Sequence, residues 1–219
     1  MEKLTVKKLY DLDHTIAKSL FETITYPWEA LSKIKDYILE LGATLDESKF
    51  DKIGDDIWVA KNATIAPSAS LNGPLIIDEE AEVRHCAFIR GSAIVGKNAV
   101  VGNSTELKNC ILFDNVQVPH YNYVGDSIYG YKSHTGAGVI ASNLKSDKSL
   151  VTLFPSLRIA VSPVLSNPYT QARDMLSQKL LRSESTDVSG LFVPLPDPVL
   201  VLPPDDASPA IILFPCLSK

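Results

Sequence analysis

Four side chains in this sequence stand where they could do chemistry. Arg90 and Lys108 are 18 residues apart. Arginine grips oxygen atoms in a fork and lysine acts as a point charge, so the pair suits a phosphate. A solvated surface pair is the plainer alternative. His120 lies in Val118-Pro119-His120-Tyr121-Asn122-Tyr123-Val124-Gly125-Asp126, beside two tyrosines. Histidine is the usual general base near neutral pH, although a loop histidine can equally have no such role. His134 precedes Gly136-Ala137-Gly138, a turn whose backbone N–H groups could face an oxyanion. His85, His120 and His134 also raise the idea of a three-histidine zinc site. Their spacings of 35 and 14 residues offer no tight ligand pair, so no metal is expected.

What could position these groups is a repeat. From residue 59 to 118 an apolar position recurs every six residues: Val59, Ile65, Leu71, Ile77, Val83, Ile89, Val95, Val101, Leu107 and Phe113. Four residues after each comes a second column: Ala63, Ala69, Leu75, Ala81, Ala87, Ala93, Ala99, Thr105, Ile111 and Gln117. Neither a helix nor an alternating strand keeps a period of six. Six-residue repeats mark a parallel β-helix, an all-β fold in which stacked repeats bury one continuous core. Three hexads close a triangular coil of 18 residues. Residue n then lies over n + 18, which stacks Arg90 and Lys108 ~4.8 Å apart on one wall. Two such cations repel unless an anion joins them. The phase slips after Phe113, since Val118 follows in five residues and Val124 in six. A slip marks a bulge or loop, and loops on a rigid scaffold tend to carry sites.

Three regions follow: an arm over 1–52, the β-helix over 53–152 and a tail over 153–219. In the arm, Leu4 to Leu9 reads as a short strand and 14–22 as a short helix. Pro27 to Leu41 reads as an amphipathic helix ended by Gly42, with Trp28, Leu31, Ile34, Ile38 and Leu41 on one face. That face packs on the first coil or another subunit, or caps the open end of the prism. The tail holds ten of the fourteen prolines but a single glycine, Gly190. Apart from a short helix over Gln171 to Leu181, it reads as irregular. It is either a native Pro-rich extension or an out-of-frame replacement.

Composition excludes some classes. The net charge is −5 with no basic block, so nucleic-acid binding is not expected. Met1 to Tyr10 is too charged for a signal peptide, and no apolar run reaches membrane-spanning length. Cys86, Cys110 and Cys216 form no metal spacing. Cys86 and Cys110, four hexads apart, fall on different walls, which suits a reducing, cytoplasmic setting.

The hexads, followed by Val101-Gly102-Asn103, Glu106-Leu107-Lys108, His120, Tyr123-Val124-Gly125-Asp126, Gly136-Ala137-Gly138 and Asn143, resemble one family. It is the acetyltransferase domain of bifunctional UDP-N-acetylglucosamine pyrophosphorylase/glucosamine-1-phosphate N-acetyltransferase, among the hexapeptide-repeat transferases. The resemblance covers about residues 53 to 152. It implies a left-handed coil, a homotrimer with sites between subunits, and acetyl-CoA as co-substrate. It implies that His120 takes a proton from the sugar amine and that Arg90, Lys108 and Tyr123 hold the sugar phosphate. It implies that the Ala137 N–H binds the tetrahedral oxyanion and that Asn143 contacts the sugar. Lys148 matches a phosphate-contacting lysine once one residue is deleted. The family carries asparagine at the position of His134, which leaves that sugar contact open. The family's later coils, which build the acetyl-CoA slot, are not found in 153–219, so the activity is expected to be impaired. No Gly-rich nucleotide loop occurs in residues 1 to 50, so the sequence offers no pyrophosphorylase site. The expected function is therefore a sugar-phosphate N-acetyltransferase of UDP-N-acetylglucosamine biosynthesis. The alternative is a non-catalytic trimeric module that binds a sugar phosphate or a nucleotidyltransferase partner.

Overall fold

The computed structural model describes residues 4–142 and 211–213. It is an all-β fold, a single-stranded left-handed parallel β-helix with a helical arm on one side. The arm holds α1 (Val6–Leu9), α2 (Lys18–Glu22) and α3 (Ile34–Gly42), and ends in β1 (Phe50–Gly54). The coil follows as β2 (Ile57–Ala60), β3 (Thr64–Ile65), β4 (Ser70–Leu71), β5 (Leu75–Ile77), β6 (Glu82–Val83), β7 (Phe88–Ile89) and β8 (Ala93–Val95). It continues through β9 (Val100–Asn103), β10 (Glu106–Leu112), β11 (Gln117–His120), β12 (Tyr123–Tyr129) and β13 (Ile140–Ala141).

Three walls rise in parallel register. The first stacks β2, β5, β8 and the second halves of β10 and β12. The second stacks β3, β6, β9 and β11. The third stacks β4, β7, the first halves of β10 and β12, and β13. Because β10 and β12 run through a corner, the first and third walls join into one 10-stranded sheet. The interior columns are apolar, as the hexads predict: Val59, Ile77, Val95 and Leu112 on the first wall, Ile65, Val83, Val101 and Val118 on the second, Leu71, Ile89, Leu107 and Val124 on the third.

The structure moves the phase slip. It lies between Leu107 and Leu112, not after Phe113. Register steps by 18 from Ile89 to Leu107 but by 17 from Val95 to Leu112. The reason is a shortened corner. Gly91 and Ser92 both take left-handed backbone, at φ 101 and 51, in the earlier coil. In the next coil Asn109 alone does so, at φ 49, and the strand runs straight on. The same short corner recurs at Asp126, φ 46, inside β12. Other corners repeat one left-handed residue per coil, as at Cys86, Ser104 and Tyr121. Strain at Tyr121 therefore belongs to the fold and not to a site.

Three positions change occupant in consequence. Leu112 fills the interior column where Phe113 was expected. Phe113 instead meets the arm, its ring centroid 5.2 Å from Tyr10 and 5.3 Å from Phe21. Cys110 takes the small interior position expected of Ile111, and Val116 that of Gln117, which is exposed.

The arm also differs from expectation. Residues 6–9 form a helical turn and not a strand, and the buried residues Val6, Leu9 and Tyr10 follow the three- and four-residue spacing of a helix. The expected single helix from Pro27 breaks in two: a 3-10 turn over Pro27–Ala30, then α3. Glu29 closes the tight first turn by accepting from the Thr25 and Tyr26 N–H groups at 2.8 and 3.2 Å. Gly42 belongs to the helix, and its role is packing. A Cβ there would lie 2.5 Å from the Trp58 ring. Helix α3 lies along the side of the coil against β5, β8 and β10 rather than over its open end. There Ile34 and Ile38 are buried with Ile76, Ile94 and Ile111. Of the span read as an irregular tail, only 211–213 is described. It forms β14 (Ile211–Leu213), antiparallel to β12. The expected helix over Gln171 to Leu181 lies outside the described residues, as do Asn143, Lys148 and Cys216.

Candidate functional site

One corner carries His120, the residue expected to act as base. His85, Asn103, His120 and Ala137 follow one another up it at steps of 18, 17 and 17 residues. The same backbone hydrogen bond climbs with them: Ser104 N–H to His85 C=O, Tyr121 N–H to Asn103 C=O and Gly138 N–H to His120 C=O, at 3.1, 3.0 and 3.1 Å. His120 and Ala137, expected as base and oxyanion donor, thus sit on adjacent rungs. Both are exposed.

Asn103 orients the imidazole. Its Oδ1 lies 2.9 Å from His120 Nδ1. An amide oxygen only accepts, so Nδ1 donates in this contact, and in the neutral ring the lone pair then lies on Nε2. Gly102 permits this approach. A Cβ on it would fall 1.6 Å from the Pro119 carbonyl oxygen, so only glycine lets the two rungs close here.

The third wall carries the cations. Leu107 pairs with Ile89, and the Arg90 N–H donates to the Leu107 carbonyl at 2.9 Å, so Arg90 and Lys108 lie on neighbouring rungs as expected. Each meets a carboxylate of the next rung or the one beside it. Arg90 Nη1 is 2.8 Å from Glu106 Oε1, and Lys108 Nζ is 3.0 Å from Asp126 Oδ2. Asp126 is buried and also accepts from Asn109 Nδ2 at 2.8 Å. The Glu106 carboxylate raises the Arg90 pKa further, with a smaller contribution from Tyr123. Tyr123 pairs with Glu106 in register, and its hydroxyl end lies over Gly125.

His134 stands apart. It bridges to Gln117 on the second wall, so within one chain it is on a different wall from Arg90, Lys108 and Tyr123. Among the described residues, no group of three or more His, Cys, Asp or Glu side chains gathers where it could hold a metal ion. No helix among them is long and apolar enough to cross a membrane.

Asn103, Glu106 and Asp126 stand in the strings that carry the resemblance, and Asn122 in the His120 string, but none of them carries an expected role. A strict 18-residue coil hides two of these relations. Asn103 reaches His120, and Asn109 reaches Asp126, only because each coil from Lys108 onward is one residue shorter.

Comparison with known proteins finds relatives for part of this chain. Residues 71–166 match the family model described as GMPPB C-terminal domain, a span that runs past the expected boundary at 152. The bifunctional protein GlmU of Methanococcus maripaludis is 32% identical over 133 residues, 59% of this chain and 32% of that protein. The bifunctional protein GlmU of Methanococcus vannielii is 42% identical over 67 residues, 31% of this chain and 16% of that protein. The alignment therefore spans at most about a third of these relatives. Among solved structures, the acetyltransferase domain of PglB from Neisseria gonorrhoeae FA1090 aligns with a TM-score of 0.41 at 19% identity, over 51% of this chain and 52% of that one.

Proposed function

We propose, on the premise that this β-helix is a hexapeptide-repeat region of the GlmU type, that the chain is a sugar-phosphate N-acetyltransferase. Acetyl-CoA is the donor, and the amine of glucosamine-1-phosphate or a related amino sugar is the acceptor. The observation that supports this most is the corner itself: an imidazole with an oriented Nδ1–H, one rung below the Ala137 N–H. The sugar amine attacks the thioester carbonyl, forming a C–N bond while His120 Nε2 takes the amine proton. The carbonyl oxygen becomes an oxyanion that the Ala137 N–H stabilises. The C–S bond then breaks, and the imidazolium returns its proton to the leaving thiolate.

Arg90, Lys108 and Tyr123 bind the sugar phosphate in this proposal. The Arg90–Glu106 pair is about half exposed, so it is weak and phosphate exchanges for the carboxylate at little cost. Asn143 and Lys148 complete the sugar and phosphate contacts. A homotrimer is part of the proposal. Phe88 and Ile140, 38% and 61% exposed, stand with Tyr123 in one outward column of the third wall. A second copy against that column brings the second wall, with His134, beside the cations. A cytoplasmic setting suits the free cysteines Cys86 and Cys110.

The paired state of both cations favours a second reading, in which they are structural and the chain is a non-catalytic trimeric module. One assay separates the two. Protein is mixed with acetyl-CoA and glucosamine-1-phosphate, and free thiol is measured. The transferase reading expects release that falls ~10²–10⁴-fold in His120→Ala. No thiol release from the unsubstituted protein, with sugar-phosphate binding unchanged in Arg90→Ala and Lys108→Ala, assigns the module instead.

A further inference from the structure

Asn122 occupies a position that the coil elsewhere gives to small side chains. It follows Ala87 and Thr105 in the inward column, where the hydrogen bonds Phe88 N–H to Thr105 C=O and Glu106 N–H to Asn122 C=O carry the register. It is 3% exposed. A buried primary amide is costly unless its donors and acceptor are all satisfied. Here they are. Oδ1 accepts from the His120 N–H at 3.0 Å. Nδ2 donates to the Gly136 carbonyl at 2.8 Å and toward the Val139 carbonyl at 3.3 Å. The Asn122 N–H reaches Thr105 Oγ1 at 3.4 Å. One side chain thus joins the rung of His120 to the rung of Ala137 from inside the prism.

The Gly136 contact has a directional consequence. A peptide group is planar and trans, so the Gly136 C=O and the Ala137 N–H point opposite ways. Anchoring that carbonyl inward on Asn122 turns the Ala137 N–H outward, toward the exposed corner where His120 stands. The bond also polarises the peptide, which makes its N–H a better donor. We infer that Asn122 is a positioning residue that sets the base and the oxyanion donor in one fixed relation by holding the backbone of both. The inference rests on the acetyl-transfer reading for its catalytic meaning but not for its geometry.

The test uses Asn122→Asp in the full chain. The carboxylate keeps an oxygen for the His120 N–H and turns the other oxygen against two carbonyls. Protonation restores a donor. With acetyl-CoA and glucosamine-1-phosphate, kcat relative to the unsubstituted protein at the same pH is expected to fall ~10–100-fold at alkaline pH. The ratio recovers toward acid, while KM for the sugar phosphate changes by less than about threefold. A buried carboxylate also destabilises the fold more as pH rises, so kcat is taken per folded molecule, counted by circular dichroism at each pH. A ratio that stays near one, or is flat with pH, overturns the inference. A second measurement stands without any activity: amide hydrogen exchange in Asn122→Leu. The Gly138 amide, held by the His120 carbonyl, and the His120 amide are expected to exchange at least ~10-fold faster, while Arg84 in the lower coils is unchanged. Unchanged exchange at both refutes the positioning role. If the unsubstituted protein releases no thiol but these two amides respond, the transferase reading fails and the positioning role holds.

Discussion

The lower and upper coils of this prism solve different problems with one repeat. Up to Leu107 the walls step by 18, and the interior is aliphatic and alanine-lined. Above it the step falls to 17, and polar groups enter: Asn122, Asp126, Ser127, Ser133 and Thr135 are all buried. Burial pushes the Cys110 thiol up to about 12, and the buried Tyr129 hydroxyl has no hydrogen-bond partner among the described residues. The lower coils gain stability by burying apolar area. The upper coils give up some of it for hydrogen bonds that fix chain direction at the corner of His120 and Ala137. The lesson is that the interior admits polar side chains where the repeat shortens.

Substitutions can break that contrast. The largest expected effect is on stability, in the lower coils. Ile94→Ala, at the fully buried contact with α3, is expected to cost ~2–5 kcal/mol in urea unfolding and to leave kcat per folded molecule unchanged. A matching drop in kcat would mean the two regions are not separable. Next come the cations. Arg90→Ala is expected to raise KM for the sugar phosphate ~10-fold or more with a small change in melting temperature, since its ion pair is exposed. A change in melting temperature without one in KM would make the cation structural. Asn103→Leu sharpens the contrast further. It removes the acceptor that holds His120 Nδ1, and kcat is expected to fall ~10-fold with KM unchanged, measured by thiol release.

The smallest effect is electrostatic and lies in the lower coils. Desolvation raises the pKa of Asp78 above its ordinary 3.8, with neighbouring Asp114 adding to it. The folded state therefore holds this proton more tightly than the unfolded state. The stability so gained is complete below pH 3.8 and is lost as pH rises through the folded value. Asp78→Asn keeps the oxygen that accepts from the Glu79 N–H. Its melting temperature is expected to exceed that of the unsubstituted protein at neutral pH, the difference vanishing near pH 3 in a calorimetric series. A constant difference across that range would rule out the desolvation account.

Much of this molecule is legible in the order of residues alone. A period of six from Val59 to Leu107 admits one architecture, because only a coil of three short strands returns every sixth side chain to a common interior. The same period predicted that Arg90 and Lys108 share a wall, and the register agrees. What it could not say is where one residue drops out. Whether a corner is shortened depends on left-handed backbone at Asn109 and Asp126, and residue type does not say where that falls, since Asn98 and Asn115 also adopt it while Asn103 and Asn122 do not. Phe113 and Ile111 illustrate the consequence. Both are apolar and either could have faced the interior, yet each ended outside it, Phe113 against Tyr10 and Phe21 and Ile111 among the residues buried beside α3.

Composition and spacing thus determined the fold type, its interior columns and the residue kinds able to bind an anion or move a proton. Tertiary structure alone decided the partners: Asn103 for His120, Asp126 for Lys108, and Asn122 between His120 and Gly136. The physical reason is that hydrophobic burial repeats along the chain and tolerates approximate register. A hydrogen bond has to be met within a few tenths of an ångström, by a neighbour that only the completed winding supplies.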